Sequence, residues 1–182
     1  KIYDFNQLPP FRQSKEAPQM IKNIFGKTGE NVWVEAPFHC DYGWNIEVGE
    51  NFYSNYNLTI LDVGKVTCGK NVQIAPNVSI YTAGHPVHPD SRNSGYEYGI
   101  PVTVGDNVWI GGNTVILPGV TVGSNVVIGA GSVVSKDIPD NTIAAGNPCK
   151  VIRKITDEDR IYYFKKQKFD DEAWEEVKNK NK

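Results

Sequence analysis

The sequence predicts an all-β solenoid, a chain wound into coils of short parallel strands, and three observations carry that prediction. Residues 104–139 are written in sixes: Val104, Ile110, Ile116, Val122, Ile128 and Val134 place a β-branched aliphatic residue at every sixth position. Four residues after each stand Val108, Thr114, Val120, Val126, Ser132 and Ile138, all small or aliphatic. Glycine or asparagine fills most of the places where such a coil must bend. A strand alone has a period of two and a helix a period near 3.6, so a strict period of six needs flat sides joined by sharp corners, three sides to a coil.

The elements follow in chain order. Residues 1–30 form an N-terminal irregular and helical segment. Residues 1–13 are expected to be extended or irregular because Pro9 and Pro10 break a helix, and Met20, Ile21, Ile24 and Phe25 then share one helical face, stopped by Gly26 and Gly29. Residues 31–153 form the solenoid. Its early coils are imperfect: Val34, Cys40 and Ile46 hold one phase, Val48 and Ile60 a second, and Cys68, Ile74 and Ile80 a third that continues into Val104. Two-residue slips of this kind push a corner outward, and the polar cluster Asp41, Tyr53, Asn55 and Asn57 falls in this region.

The corners of the regular part are expected to need φ > 0. Gly105, Gly111, Gly123 and Gly129, which follow the aliphatic position, meet that need, as do Asn107, Asn113, Gly119, Asn125, Gly131 and Asp137 two positions further on. Residues 84–99, rich in His, Pro, Arg and Tyr, obey no repeat rule and read as an inserted loop without structure of its own. Such loops are more often functional than not. Residues 154–182 form a C-terminal helical cap and tail. Thr156 and Asp159 mark a helix start, Ile161, Tyr162 and Phe164 are able to pack back on the solenoid, a second short helix surrounds Trp174, and the Lys- and Asn-rich end is expected to be disordered.

Composition removes several classes of function. A chain of 182 residues makes one domain with a substantial core, and a net charge of −2 argues against a surface for nucleic acid. No apolar run approaches the roughly 18 residues that span a bilayer, so no membrane partner is expected, and the absence of a signal-peptide pattern places the protein in the cytoplasm. Cys40, Cys68 and Cys149 form neither a disulfide framework nor a zinc knuckle, and Cys68 reads as a small core residue.

Six stretches carry a resemblance: residues 38–43 (FHCDYG), 51–57 (NFYSNYN), 84–88 (GHPVH), 107–111 (NVWIG), 127–132 (VIGAGS) and 146–153 (GNPCKVIR). Over nearly its whole length the chain resembles the galactoside and maltose O-acetyltransferases of the hexapeptide-repeat acyltransferases. The resemblance implies a left-handed parallel β-helix with short N- and C-terminal helices, an exception to the usual right-handed crossover. It implies acetyl-CoA as cosubstrate, no metal, a sugar hydroxyl as acceptor and a homotrimer with inter-chain active sites. The relatives also carry a helical segment ahead of the position of Lys1, so a trimmed or differently started chain is expected.

An alcohol attacking a thioester must lose its proton, and an imidazole is the natural acceptor at neutral pH. The resemblance assigns that role, catalytic general base, to His85; His88 reads as structural or exposed, and His39 as near the acceptor end. For the acceptor sugar it implies Asn55, Tyr53 and Asp41, with Glu97 either orienting His85 or binding sugar. For acetyl-CoA it implies Trp109 against the thiol end of the pantetheine or the acceptor. The N–H of Gly112 is assigned to the developing oxyanion. Ala130 and Ser135 would flank the arm, and Lys136, Lys150 and Arg153 would meet the phosphates. No serine or cysteine stands beside His85, so transfer is expected to be direct, without an acyl-enzyme. Two rival readings are a metal-dependent enzyme of the γ-carbonic-anhydrase kind, which needs three convergent histidines, and a non-catalytic scaffold.

Overall fold

The computed structural model describes residues 1–180, apart from the side chains of residues 10, 11, 13 and 14. Three parallel sheets make the three faces of a β-solenoid. The first face stacks Val32–Val34, Phe52–Ser54, Gln73–Ile74, Trp109–Ile110, Val127–Ile128 and Thr142–Ala145. The second stacks Phe38–Cys40, Leu58–Leu61, Ser79–Tyr81, Val115–Ile116 and Val133–Val134, and the third Ile46–Val48, Val66–Cys68, Val102–Val104 and Thr121–Val122.

The two columns of the sixfold pattern are the two inward residues of each side, such as Val108 with Ile110 and Val120 with Val122, and all of them are buried. Where the inner residue is polar its hydroxyl is satisfied locally: Thr114 Oγ1 donates to the Gly111 carbonyl at 2.7 Å. One corner is held by a ladder of side-chain amides, Asn31 to Asn51, Asn71, Asn107, Asn125 and Asn141, with N···O distances from 2.8 to 3.3 Å. The last five of these residues have φ between 54° and 58°, a conformation asparagine tolerates better than most residues.

The corner glycines divide into two kinds, which corrects the sequence expectation. Gly119 and Gly131 have φ of 82° and 73°, and Asn107, Asn113 and Asn125 share the left-handed conformation. Gly105, Gly111, Gly123 and Gly129 do not, and neither does Asp137. These four glycines sit where the next coil crosses closely: a Cβ on Gly111 would stand 2.5 Å from the Ala130 nitrogen and 2.8 Å from the Ile128 oxygen.

The solenoid ends are closed differently. At the N-terminus two helices, α1 (Ile2–Asn6) and α2 (Pro10–Ile24), bury Phe5, Ala17, Ile21 and Ile24 over the first coil. The expected irregular stretch over residues 1–13 is therefore largely helical. Pro10 occupies the first position of α2, where its missing N–H has no helical partner to lose. Asn6 seals an open strand edge, since its amide both donates to the Phe38 carbonyl and accepts from the Phe38 N–H at 2.8 Å.

At the other end Lys150–Lys154 pairs antiparallel with Thr142–Ala145. Beyond it a 3₁₀ turn, Asp157–Ile161, starts at the Thr156 and Asp159 capping box, followed by a hairpin of Tyr162–Phe164 with Gln167–Lys168 and a helix, Asp171–Lys180. Ile161 and Phe164 stay exposed rather than packing on the solenoid, and Tyr162 is only partly covered. Phe169 instead gathers Tyr163 and Trp174, with ring centroids 5.6 and 6.0 Å away. The end expected to be disordered is helical through Lys180, and the last two residues lie outside the described ones. Among the described residues no helix is long and apolar enough to cross a membrane.

Arg153 holds this terminal segment. Its guanidinium donates to both Asp159 oxygens at 2.7 and 2.8 Å, and the Thr156 N–H donates to Asp159 at 2.8 Å. Those bonds, the Arg153 pair first, hold the Asp159 carboxyl well below the usual carboxylate range. A depressed folded value means the clamp's contribution is complete above the ordinary carboxylate pKa of about 4 and disappears as pH falls through the lowered value. Trp174 emission is expected to stay constant down to about pH 4 and to change only below it, a transition that Asp159→Asn should abolish.

Candidate active site

All three enlargements of the repeat fall at one corner, between the second and third faces. Eight residues rather than six separate Cys40 from Val48 and Ile60 from Cys68, residues that the strand register places directly above one another. The insertion of residues 84–99 leaves from the same corner one coil later. The sequence showed the slips; their stacking into one outgrowth depends on register between coils.

Asp62, which the sequence reading passed over, organises the base of this outgrowth. Its buried carboxylate accepts from the backbone N–H groups of Asp41, Tyr42 and Gly43 at 3.0, 2.9 and 2.7 Å. Asn45 Nδ2 donates to the Asp62 carbonyl at 2.7 Å, tightening the same turn. Asp41 is thereby held at the surface, its carboxyl pushed up by partial burial and by the nearby charges of Asp62 and Glu97.

The insertion has structure of its own, contrary to the expectation. Ala83–Gly84 pairs antiparallel with Tyr98–Gly99, and a short helix, Pro89–Asn93, is capped by His88, whose Nδ1 accepts from the Asp90 N–H. Gly84 allows Tyr98 close in, since a Cβ there would meet the phenol ring at 2.5 Å. His85 projects from this closed loop about half exposed, with Nδ1 3.0 Å from the Tyr96 carbonyl oxygen. A carbonyl can only accept, so Nδ1 carries the hydrogen and Nε2 keeps a free lone pair. Glu97 Oε1 stands 3.9 Å from Nε2, too far for a hydrogen bond and close enough to oppose a charge formed there. The Tyr96 carbonyl holds the ring at Nδ1, and Glu97 stands beside Nε2.

The other predicted residues lie elsewhere on the prism. Tyr53 and Trp109 share an outward row on the first face through Gln73. The Tyr53 hydroxyl is pushed up by partial burial, then by Glu35 and Tyr56. Asn55 occupies the corner after the first face; its Oδ1 accepts from the Tyr56 N–H at 2.8 Å, which turns Nδ2 outward as a donor. Gly112 and Ala130 occupy that corner in later coils, and the Gly112 N–H donates to no group among the described residues. Lys150 and Arg153 close the first face, with Arg153 engaged by Asp159, whereas Ser135 and Lys136 lie exposed on the His85 side in the last coil. In a three-sided coil the His85 corner is opposite the first face. One chain therefore presents these residues in two groups, back to back.

Among the described residues no three His, Cys, Asp or Glu side chains converge as a metal-holding group. Burial pushes the Cys68 thiol up to about 12, and burial together with Asp62 and Asp41 does the same for Cys40. Burial also raises Cys149.

Residues 101–136 match the family model described as bacterial transferase hexapeptide (six repeats). The galactoside O-acetyltransferase of Escherichia coli K12 is 54% identical over 167 residues, which cover 92% of this chain and 82% of the relative. A solved galactoside acetyltransferase in complex with coenzyme A superposes with a TM-score of 0.90 at 54% identity, covering 93% of this chain and 84% of that one. A maltose O-acetyltransferase from Clostridium difficile 630 gives 0.83 at 54% identity, covering 86% and 83%. The coils built on sixes, with these matches, make the chain a hexapeptide-repeat transferase. Within that class the chain belongs to the galactoside and maltose O-acetyltransferase family.

Proposed function

We propose that this enzyme transfers the acetyl group of acetyl-CoA directly to a hydroxyl of a galactoside- or maltose/glucose-type sugar, with His85 as general base. The observation that carries the reading is the contact of His85 Nδ1 with the Tyr96 carbonyl oxygen at 3.0 Å, which in a neutral ring leaves Nε2 as the proton acceptor. Acetyl-CoA supplies the activated acetyl group. His85 Nε2 takes the proton of the attacking hydroxyl as its oxygen bonds to the acetyl carbon. The C–S bond then breaks, the imidazolium returns that proton to the departing CoA thiolate, and Glu97 opposes the imidazolium charge in between. The unpartnered Gly112 N–H donates to the oxygen on which negative charge develops. Asp41, Tyr53 and the outward Nδ2 of Asn55 bind acceptor hydroxyls. Trp109, Ala130 and Ser135 border the pantetheine arm, and Lys136, Lys150 and Arg153 neutralise phosphate charge.

Because His85 and the Trp109 face point in opposite directions on one chain, we assign the complete site to the cleft between two copies in a cytoplasmic homotrimer. Direct transfer agrees with the thiols, each of which burial pushes upward, away from the reactive thiolate. The test is release of free CoA from acetyl-CoA in the presence of galactosides, glucosides and maltose, with and without prior alkylation by iodoacetamide. Turnover of at least one sugar, unaffected by alkylation, is expected. Binding of acetyl-CoA without turnover of any sugar would overturn the acceptor class, and loss of turnover on alkylation would overturn direct transfer.

A further inference from the structure

Two large aromatic side chains on the outgrowth take no part in the chemistry described above. Tyr42 and Trp44 are 48% and 64% exposed, and their rings lie 5.0 Å apart at an interplanar angle of 34°. They belong to the turn that the Asp62 carboxylate grips through the N–H groups of Asp41, Tyr42 and Gly43. Gly43, with φ of 84°, lies tight against Ile24, and the Gly26 N–H is bonded to the Ile46 carbonyl at 3.0 Å, so the turn is also fixed from below. The rings are therefore held in place before any ligand arrives, which lowers the entropy lost on binding.

Their position relative to the site is set by register. Cys40, Ile60 and Ile80 stack in successive coils, so the Asp41 turn lies two strand spacings, about 10 Å, along the same edge from the start of the His85 loop. Asp41 opens this turn, and the Glu97 charge of the inserted loop reaches it. The carboxylate and the two rings therefore share one turn, set two coils along the edge from the coil that carries the general base. One sugar ring does not span that distance; two linked rings do. A carboxylate beside an exposed aromatic ring also suits a pyranose, which has hydroxyls at its rim and C–H groups on its face.

We propose that Tyr42 and Trp44 form an outer acceptor subsite, a shelf on which the second ring of a two-ring acceptor stacks while the first is acetylated beside His85. The occupant is the ring joined to the reacting sugar, either a second pyranose or an aryl aglycone. This rests on the acceptor reading above and narrows its substrate class to acceptors larger than a monosaccharide.

The experiment compares wild type with Tyr42→Ala, Trp44→Ala and the conservative Trp44→Phe, at saturating acetyl-CoA, on methyl glycosides, the corresponding disaccharide and the corresponding phenyl glycoside. For the alanine variants KM is expected to rise roughly five- to tenfold for the two-ring acceptors, with kcat and all constants for the methyl glycosides nearly unchanged. Trp44→Phe should retain most of the affinity. Rescue on phenyl glycoside alone marks an aryl occupant; rescue on both marks either ring.

Equal losses on one-ring and two-ring acceptors, or no loss on either, would overturn the subsite. A changed sedimentation mass in the alanine variants would also overturn it and assign the pair to a contact between copies. If the wild type turns over no sugar, the acetyl-transfer reading fails and an equilibrium arm decides the shelf. Quenching of tryptophan emission by disaccharide or phenyl glycoside, present in wild type and absent in Trp44→Ala, would support it. Its absence in wild type would end it.

Discussion

Replacing His85 by alanine is expected to lower kcat by roughly two to four orders of magnitude, the range for loss of a positioned general base, while affinity for acetyl-CoA stays nearly constant. The geometry separates the two quantities. His85 stands on an inserted loop, closed by the pairing of Ala83–Gly84 with Tyr98–Gly99, and it contributes neither to the buried rungs nor to the basic residues at the far end of the solenoid. Its removal leaves intact the coils and the positions proposed above to meet the phosphates. Steady-state kinetics with a binding titration of CoA checks this, and a parallel fall in CoA affinity would mean that the imidazole holds the donor instead. Glu97→Gln should have a much smaller effect. A full charge at 3.9 Å in water-like surroundings contributes about 1 kcal/mol, a factor of about five in rate, and the orienting bond to the Tyr96 carbonyl survives that change.

The parts of this molecule that were legible in its sequence are those governed by which way a side chain faces. Ile110 and Ile116 announce themselves as core because alternation and corner spacing are local properties, and both are fully buried. His85 drew notice for the opposite reason, standing in the one long stretch that broke the pattern, and its assigned role came from the GHPVH resemblance. What depends on contact between coils was not legible. Asp62 looks like any corner acid until the coil below places three N–H groups around it. Pro9 and Pro10 read as breakers because the sequence does not say which turn of a helix a proline will occupy. Ile161 and Phe164 read as packing residues because an apolar side chain does not name its partner. Both are exposed on this chain.

The two kinds of corner glycine give the second large effect, and one substitution separates them. Asparagine in place of Gly131 is expected to be nearly neutral. Gly131 has φ of 73° with nothing within 4 Å of its Cβ position, and it continues the column in which Asn57, Asn77 and Asn113 already adopt that conformation. The Asn57 amide donates to Asn77 at 2.9 Å, and a new amide at 131 would stand in line with them. Asparagine, or even alanine, in place of Gly111 should behave oppositely, because the Cβ would meet the Ala130 nitrogen, the Ile128 oxygen and the Ala130 Cα at 2.5, 2.8 and 2.9 Å. Those atoms are backbone, fixed by the bond from the Gly111 N–H to the Ile128 carbonyl, so two coils must part to admit the side chain. Overpacking of this kind costs about 1–3 kcal/mol, a Tm lower by roughly 3–10 °C for a chain of this size. The distortion would also reach the neighbouring Gly112 N–H, so kcat should fall along with Tm. Thermal unfolding at one fixed protein concentration, paired with turnover, measures both. If Gly131→Asn proved as damaging as Gly111→Asn, the corners would be limited by backbone conformation throughout, and close approach of the coils would not be what selects glycine at position 111.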